Sequence, residues 1–234
     1  MNSLSLDAAR QTVRRGRVLT FIALALVIAC GVRAVEFTPV ERFQGLAQKI
    51  FYLHVPAAWS AFLAFGLVGI VSALFLWLGD RRLDLFAESS AEVGTVLTAI
   101  VLITGPIWGK PIWGAWWVWG DARLTSTLFL FFLFVGYQSL RSSVHDVQER
   151  ARLSAVLGIC GAVLIPFIHL TVYLFRTQHP MPVVAKPEGP TLPGVMLVTL
   201  LSTFGAFTLL YLGFVTTRYG IAQVREVREA ADAG

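Results

Sequence analysis

LHVPAAWSAFLAFGLVGIVSALFLWL, residues 53–78, runs for 26 residues without an Asp, Glu, Lys or Arg. At a helical rise of about 1.5 Å per residue it is long enough to cross a hydrocarbon core of ~30 Å. Four more apolar runs follow at 91–107, 124–140, 153–175 and 193–217, and a shorter one lies at 18–32. The pattern predicts an all-α, polytopic membrane protein with six transmembrane helices. The first run reaches full length if Arg33 snorkels toward the interface.

Composition agrees with that reading. The chain has 234 residues, 56% hydrophobic and 14% charged, with mean hydropathy +0.69. Soluble domains carry roughly 25% charged residues, and disordered chains combine low hydrophobicity with high net charge; neither description fits. The net charge is +5 and the pI about 9.6. Because Lys and Arg flank the apolar runs, this balance reads as topology and contact with anionic headgroups of the bilayer, with no nucleic-acid partner. Cys30 and Cys160 sit inside apolar runs and read as small buried residues; with no CxxC, thiol redox chemistry has no apparatus.

Arg10, Arg14, Arg15 and Arg17 precede the first run. A signal peptide begins in this way, but no A-x-A cleavage site follows, so a retained first helix is expected. With the N-terminus inside, twelve of the 19 Lys and Arg residues fall on inner segments and seven on outer ones, favouring N-in/C-in topology. The expected organisation is a cytoplasmic N-terminus over 1–17, a six-helix membrane domain over 18–217, and a charged, solvated cytoplasmic helix over 218–234.

Unusual residues then gather on the outer face. Trp108, Trp113, Trp116, Trp117 and Trp119 place five of the seven tryptophans within twelve positions, between spans three and four. An interfacial belt puts one or two aromatics at each helix end; this is far denser. Pro111 suits a first helical turn, and Trp113, Trp116 and Trp117 have i, i+3, i+4 spacing. A short surface helix is therefore expected, offering a flat indole surface for a large planar apolar ligand.

Of the four histidines, His145 reads as exposed beside Asp146 on the inner side. His169 lies within span five, where an ionisable group is costly and often functional, or else bonds a neighbouring helix. His54, at the outer mouth of span two, and His179, in the loop after span five, share the level of the tryptophan segment. Two neutral imidazoles beside a flat aromatic surface suit the axial positions of a haem iron. Zinc competes, although no third ligand is evident.

At these residues the sequence resembles a known family. Trp108-Gly-Lys-Pro-Ile-Trp-Gly-Ala-Trp-Trp-Val-Trp-Gly-Asp-Ala-Arg-Leu-Thr-Ser126 is similar to the "WWD" signature of haem-handling proteins. With Tyr52-Leu-His-Val-Pro-Ala-Ala58 and six spans, it resembles the haem exporter protein C (CcmC) family of cytochrome c maturation system I over roughly 15–217. The resemblance implies a multi-pass bacterial inner-membrane protein that holds haem b transiently at its periplasmic face and promotes its transfer to the haem chaperone CcmE. It implies His54 and His179 as iron ligands. It also implies a haem-binding platform of Trp108, Trp113, Trp116, Trp117 and Trp119, closed by Asp121 and Arg123. The implied partners are CcmE, the ABC-type subunits CcmA and CcmB, and the small protein CcmD. One departure stands out: the family pattern runs Trp-Asp-Ala-Arg, and here Gly120 separates Trp119 from Asp121. Either the turn takes an extra residue or Asp121 points elsewhere.

No hydrolytic nucleophile–base set and no nucleotide motif are visible, so the chain is expected to hold and hand over a ligand, not to act as an enzyme, though covalent attachment of haem to the chaperone could be completed on its surface. Lys110, Arg123 and Arg176 are the candidates for pairing with haem propionates. The alternative function is a permease or exporter that moves haem or another substrate through the bundle, with His169 and Glu92 as its polar path.

Overall fold

The structure, a computed structural model, describes residues 5–175, 177–184 and 189–232. It contains six long helices: α1 Leu6–Glu36, α2 Phe51–Leu78, α3 Arg81–Trp113, α4 Ala122–Ser143, α5 Val147–Leu174 and α6 Gly194–Asp232. A 3₁₀ turn, Leu46–Ile50, runs directly into α2. Each helix is long and apolar enough to cross a membrane, and no strand occurs among the described residues. The all-α, six-span reading therefore holds.

Local signals set the helix ends. Ser5 accepts from the Ala8 amide at 3.2 Å, Asp80 from Arg82 at 3.0 Å and Asp146 from Glu149 at 2.7 Å, each an N-cap. Gly79 (φ 69°) and Gly114 (φ 76°) stop α2 and α3 in the left-handed conformation that glycine adopts without steric cost.

The central element is α2. Its Ala57, Ala61 and Ala64 pack against Val93 and Leu97 of α3 and Phe207, Tyr211 and Val215 of α6. Its other side places Phe65 and Val68 against Leu130 and Phe134 of α4 and Ile168 of α5; Phe65 and Phe134 stack with centroids 3.7 Å apart. On the outside, α1 runs antiparallel to α6 along small residues. A Cβ on Gly16 would come within 2.5 Å of the Thr217 backbone, and one on Gly213 or Gly220 within 2.7 Å of Thr20 or Val13. Such close backbone approach replaces hydrophobic association inside a membrane.

The helices outrun their apolar stretches at the end opposite the histidine-bearing loops. The first ten residues of α3 precede the run at 91–107, and α6 continues without a break through the tail. On α3, Asp84, Glu88 and Glu92 recur every fourth residue, on one face. Arg141 of α4 donates to Asp84 at 2.6 and 3.1 Å and to Glu88 at 2.9 Å. From α6, Arg225 pairs with Glu88 at 3.1 Å, Glu226 with Arg81 at 3.0 Å, and Arg218 with Glu92. The segment from 218 is thus not a separate solvated helix: its charges are partly spent on α3. Hydropathy registers only the lipid-facing length, whereas ion pairs between helices carry the rest. A smaller correction concerns Cys160, which is exposed on α5, while Cys30 is half-buried.

Candidate functional site

His54 lies in the first turn of α2 and is only 7% exposed. Its Nδ1 is 2.9 Å from the hydroxyl of Thr104 on α3. That hydroxyl donates its one proton to the Ile100 carbonyl at 2.7 Å, so toward His54 it acts as acceptor. With the hydroxyl proton so placed, the imidazole would carry its own proton on Nδ1 and present the Nε2 lone pair, the arrangement that metal-binding histidines need. At the next position a Cβ on Gly105 would sit 3.4 Å from His54 Cε1, so the ring lies close against α3. Trp108, one turn beyond Thr104, meets His54 edge-on at 5.7 Å, and its Nε1 donates to the Gln44 side chain at 3.0 Å.

His179 comes from the chain after α5. Its ring centroid is 6.3 Å from that of His54, with the planes 35° apart. A metal–imidazole bond is roughly 2 Å long and the ring nitrogen lies about 1 Å from its centroid, so two imidazoles in trans positions on one metal have centroids ~6 Å apart. Among the described residues no group of three or more His, Cys, Asp or Glu side chains can hold a metal ion. Two imidazoles are the number of protein ligands that a six-coordinate haem iron takes, whereas zinc sites take three or four. Burial first, and then the Arg123 charge, push the His179 imidazole down to about 4, so the ring is neutral at neutral pH.

Asp121 turns its carboxylate to backbone amides. It is buried at the N-cap of α4, where Oδ1 accepts from the amides of Arg123 at 2.9 Å and Leu124 at 3.0 Å. Its Oδ2 accepts from the Gln178 amide at 2.7 Å. One carboxylate thus starts α4 and pins the residue before His179. Gly120 is accommodated in an exposed turn closed by the Asp121 amide on the Val118 carbonyl at 3.0 Å, with open space around it.

The tryptophans divide. Trp113 belongs to the last turn of α3, its indole lying over Gly109, where a Cβ would clash at 2.7 Å. Gly114 then ends the helix, so Pro111 lies inside α3 and no separate surface helix carries Trp113, Trp116 and Trp117. Helical spacing misled because the left-handed turn at Gly114 interrupts it. Beyond that turn, Trp117 and Trp119 meet edge-on at 5.8 Å. Trp116 and Trp119 are 59% and 73% exposed. The buried Nε1 of Trp117 has no partner among the described residues.

Of the propionate candidates, Arg123 reaches His179, with Nη1 3.5 Å from its Nδ1. Lys110 donates to the Gly114 carbonyl at 2.8 Å and caps α3. Arg176 lies outside the described residues. His145 is exposed. His169 sits on the exposed face of α5 against Tyr173, not in the bundle, and Glu92 is paired with Arg218, so neither marks a path through the middle. Sequence reading missed Thr104 and Gln44; the signal for Thr104 was its place one helical turn before Trp108.

The family model described as "Heme exporter protein C" matches residues 6–232. The chain is similar to a heme exporter protein C of Bradyrhizobium diazoefficiens, with 38% identity over 197 residues, covering 83% of this chain and 74% of the relative. One from Haemophilus influenzae is 35% identical over 208 residues, 89% of this chain and 83% of that protein. A "putative cytochrome c biosynthesis ccmC-like mitochondrial protein" of Marchantia polymorpha is 35% identical over 190 residues, 81% and 77% of the two chains.

Proposed function

The chain belongs to the haem exporter protein C family, and from that premise we propose that it holds haem b between His54 and His179 at the periplasmic face of the bacterial inner membrane and passes it to the haem chaperone CcmE. Haem handling for cytochrome c biogenesis, as a multi-pass membrane protein, is the family's work; the ligands, the face and the recipient are the proposal. The observation that carries it is the separation of the two imidazoles, 6.3 Å between centroids, with His54 Nδ1 held by the Thr104 hydroxyl at 2.9 Å.

Haem supplies an iron with two open axial positions, a wide apolar ring and two propionates. His54 and His179 offer the two neutral nitrogens. Trp108, already edge-on to His54, covers the apolar side together with Trp113 and Trp117, and Arg123 offers a guanidinium for a carboxylate fork. The exposed Trp116 and Trp119 form the surface that CcmE meets. The periplasmic orientation rests on the excess of Lys and Arg at the opposite end. CcmA, CcmB and CcmD are the further partners, with ATP hydrolysed outside this chain. The chain itself holds and hands over; one imidazole must leave for haem to move on.

The test is the haem content and absorption spectrum of purified His54→Ala and His179→Ala proteins. Each variant should lose the bis-imidazole spectrum. A wild-type spectrum in both would remove the ligand assignment.

A further inference from the structure

The two histidines differ in how their second nitrogens are held. Among the described residues His54 Nδ1 has one partner, the Thr104 hydroxyl at 2.9 Å, on a helix and oriented by its own bond to Ile100. His179 Nδ1 has two, at longer range: the Pro180 carbonyl at 3.4 Å and Arg123 Nη1 at 3.5 Å. These two contacts exclude each other. A carbonyl only accepts and requires a proton on Nδ1; a guanidinium only donates and requires the Nδ1 lone pair. With the proton on Nδ1, Nε2 is a competent ligand. With Nδ1 accepting from Arg123, the neutral ring carries its proton on Nε2, and that nitrogen is closed to iron.

We propose that Thr104 fixes His54 as the standing iron ligand, whereas His179 is the ligand that is made and broken, its competence set by whether Arg123 is engaged with its Nδ1. The proposal rests on the reading that both imidazoles ligate haem. Thr104 is then a positioning residue. Arg123 is a gate: a carboxylate that captures its guanidinium frees Nδ1 to turn its proton toward the Pro180 carbonyl and opens Nε2. The proton stays on the imidazole throughout, moving from Nε2 to Nδ1 by exchange with solvent. The supporting elements fit this division. His54 and Thr104 stand on packed helices, while His179 stands on a loop anchored through the Gln178 amide on Asp121. Release of haem to a partner therefore breaks the His179 bond first and leaves His54 as the last attachment.

The proposal is tested on the full-length protein in nanodiscs, without haem, by ¹⁵N NMR of the histidine side chains, which reports the tautomer directly. His54 should show its proton on Nδ1, losing that preference in Thr104→Val and regaining it in Thr104→Ser. His179 should populate the Nε2-protonated form, shifting to the Nδ1-protonated form in Arg123→Met. With haem bound, transfer to excess apomyoglobin should be about ten-fold faster or more from Thr104→Val, in line with the loss when a metal ligand's supporting bond is removed, and near wild type from Thr104→Ser. His179→Ala should keep more haem than His54→Ala. A wild-type His54 protonated on Nε2, or equal haem retention by the two alanine variants, overturns the inference. Should Thr104→Val fail to fold, the wild-type tautomers and the alanine pair still decide it. Wild-type spectra in both alanine variants would instead defeat the ligation reading beneath it.

Discussion

The two ends of the bundle use their charged and polar groups differently. At the end opposite the histidines, α3, α4 and α6 exchange charges among themselves: Asp84 and Arg141 are buried at 2% and 5% side-chain exposure, and Arg81, Glu88, Arg225 and Glu226 complete the network. At the histidine end Asp121, His54 and Trp108 have partners, but other polar groups are left short of them or contested. Trp117 Nε1 is buried without a partner among the described residues, His179 Nδ1 is shared between two incompatible neighbours, and two indoles stand exposed. Charges paired across three helices serve to hold those helices together, although Arg141 Nε has no partner among the described residues. A set of groups lacking internal partners has capacity left for a ligand, and this is where the imidazoles meet.

The largest effect that would test this contrast is at the charge-paired end. Arg141→Met leaves Asp84 and Glu88 with a buried charge uncompensated on one side and should cost about 3–5 kcal/mol. It would be read as a fall in thermal midpoint in detergent, with haem ligation intact in the protein that remains folded. A comparable stability with the arginine gone would show that the network contributes little.

Gly213→Val comes next. The added side chain meets the Thr20 backbone, where even a Cβ would lie 2.7 Å away, and overpacking of this kind costs about 1–3 kcal/mol. Because α1 packs mainly on α6, cross-linking between these two helices should weaken while the haem spectrum persists.

At the histidine end, Asp121 separates two roles within one side chain. Asp121→Ala removes the α4 cap, worth about 0.5–2 kcal/mol, together with the anchor on Gln178. Asn caps as well as Asp, but its single carbonyl oxygen serves either α4 or Gln178, so Asp121→Asn should keep the thermal midpoint and still lose haem retention. Equal retention by Asp121→Asn and the wild type would mean that the loop is held elsewhere.

The smallest change in stability belongs to the double variant Trp116→Ala, Trp119→Ala. Both side chains are exposed, so stability should move within about 0.5 kcal/mol. Capture of the haem chaperone in a pull-down should nonetheless fall. Unchanged capture would return these indoles to the role of interfacial anchors.

The apolar runs were enough for six spans, because a bilayer imposes one length and one composition on whatever crosses it. The pairing of His54 with His179 was legible from their common level at the helix ends and from the family signature around the tryptophans. What the one-dimensional pattern misjudged lies where helices meet. The charges of α3 and α6 look like solvated ends until Arg141, Arg218 and Arg225 are set against Asp84, Glu88 and Glu92. Helical spacing joined Trp113 to Trp116 and Trp117, and the left-handed Gly114 parts them.

Sequence alone therefore determined the number of spans, their apolar character and the residue types gathered at one end, since these follow from local composition and period. Tertiary structure alone decided that Thr104 faces His54, that Asp121 ties down the His179 loop and that Arg123 contends for its ring. Those contacts join residues about fifty or more positions apart, and their partners are chosen by how the helices pack, a relation that no local periodicity encodes.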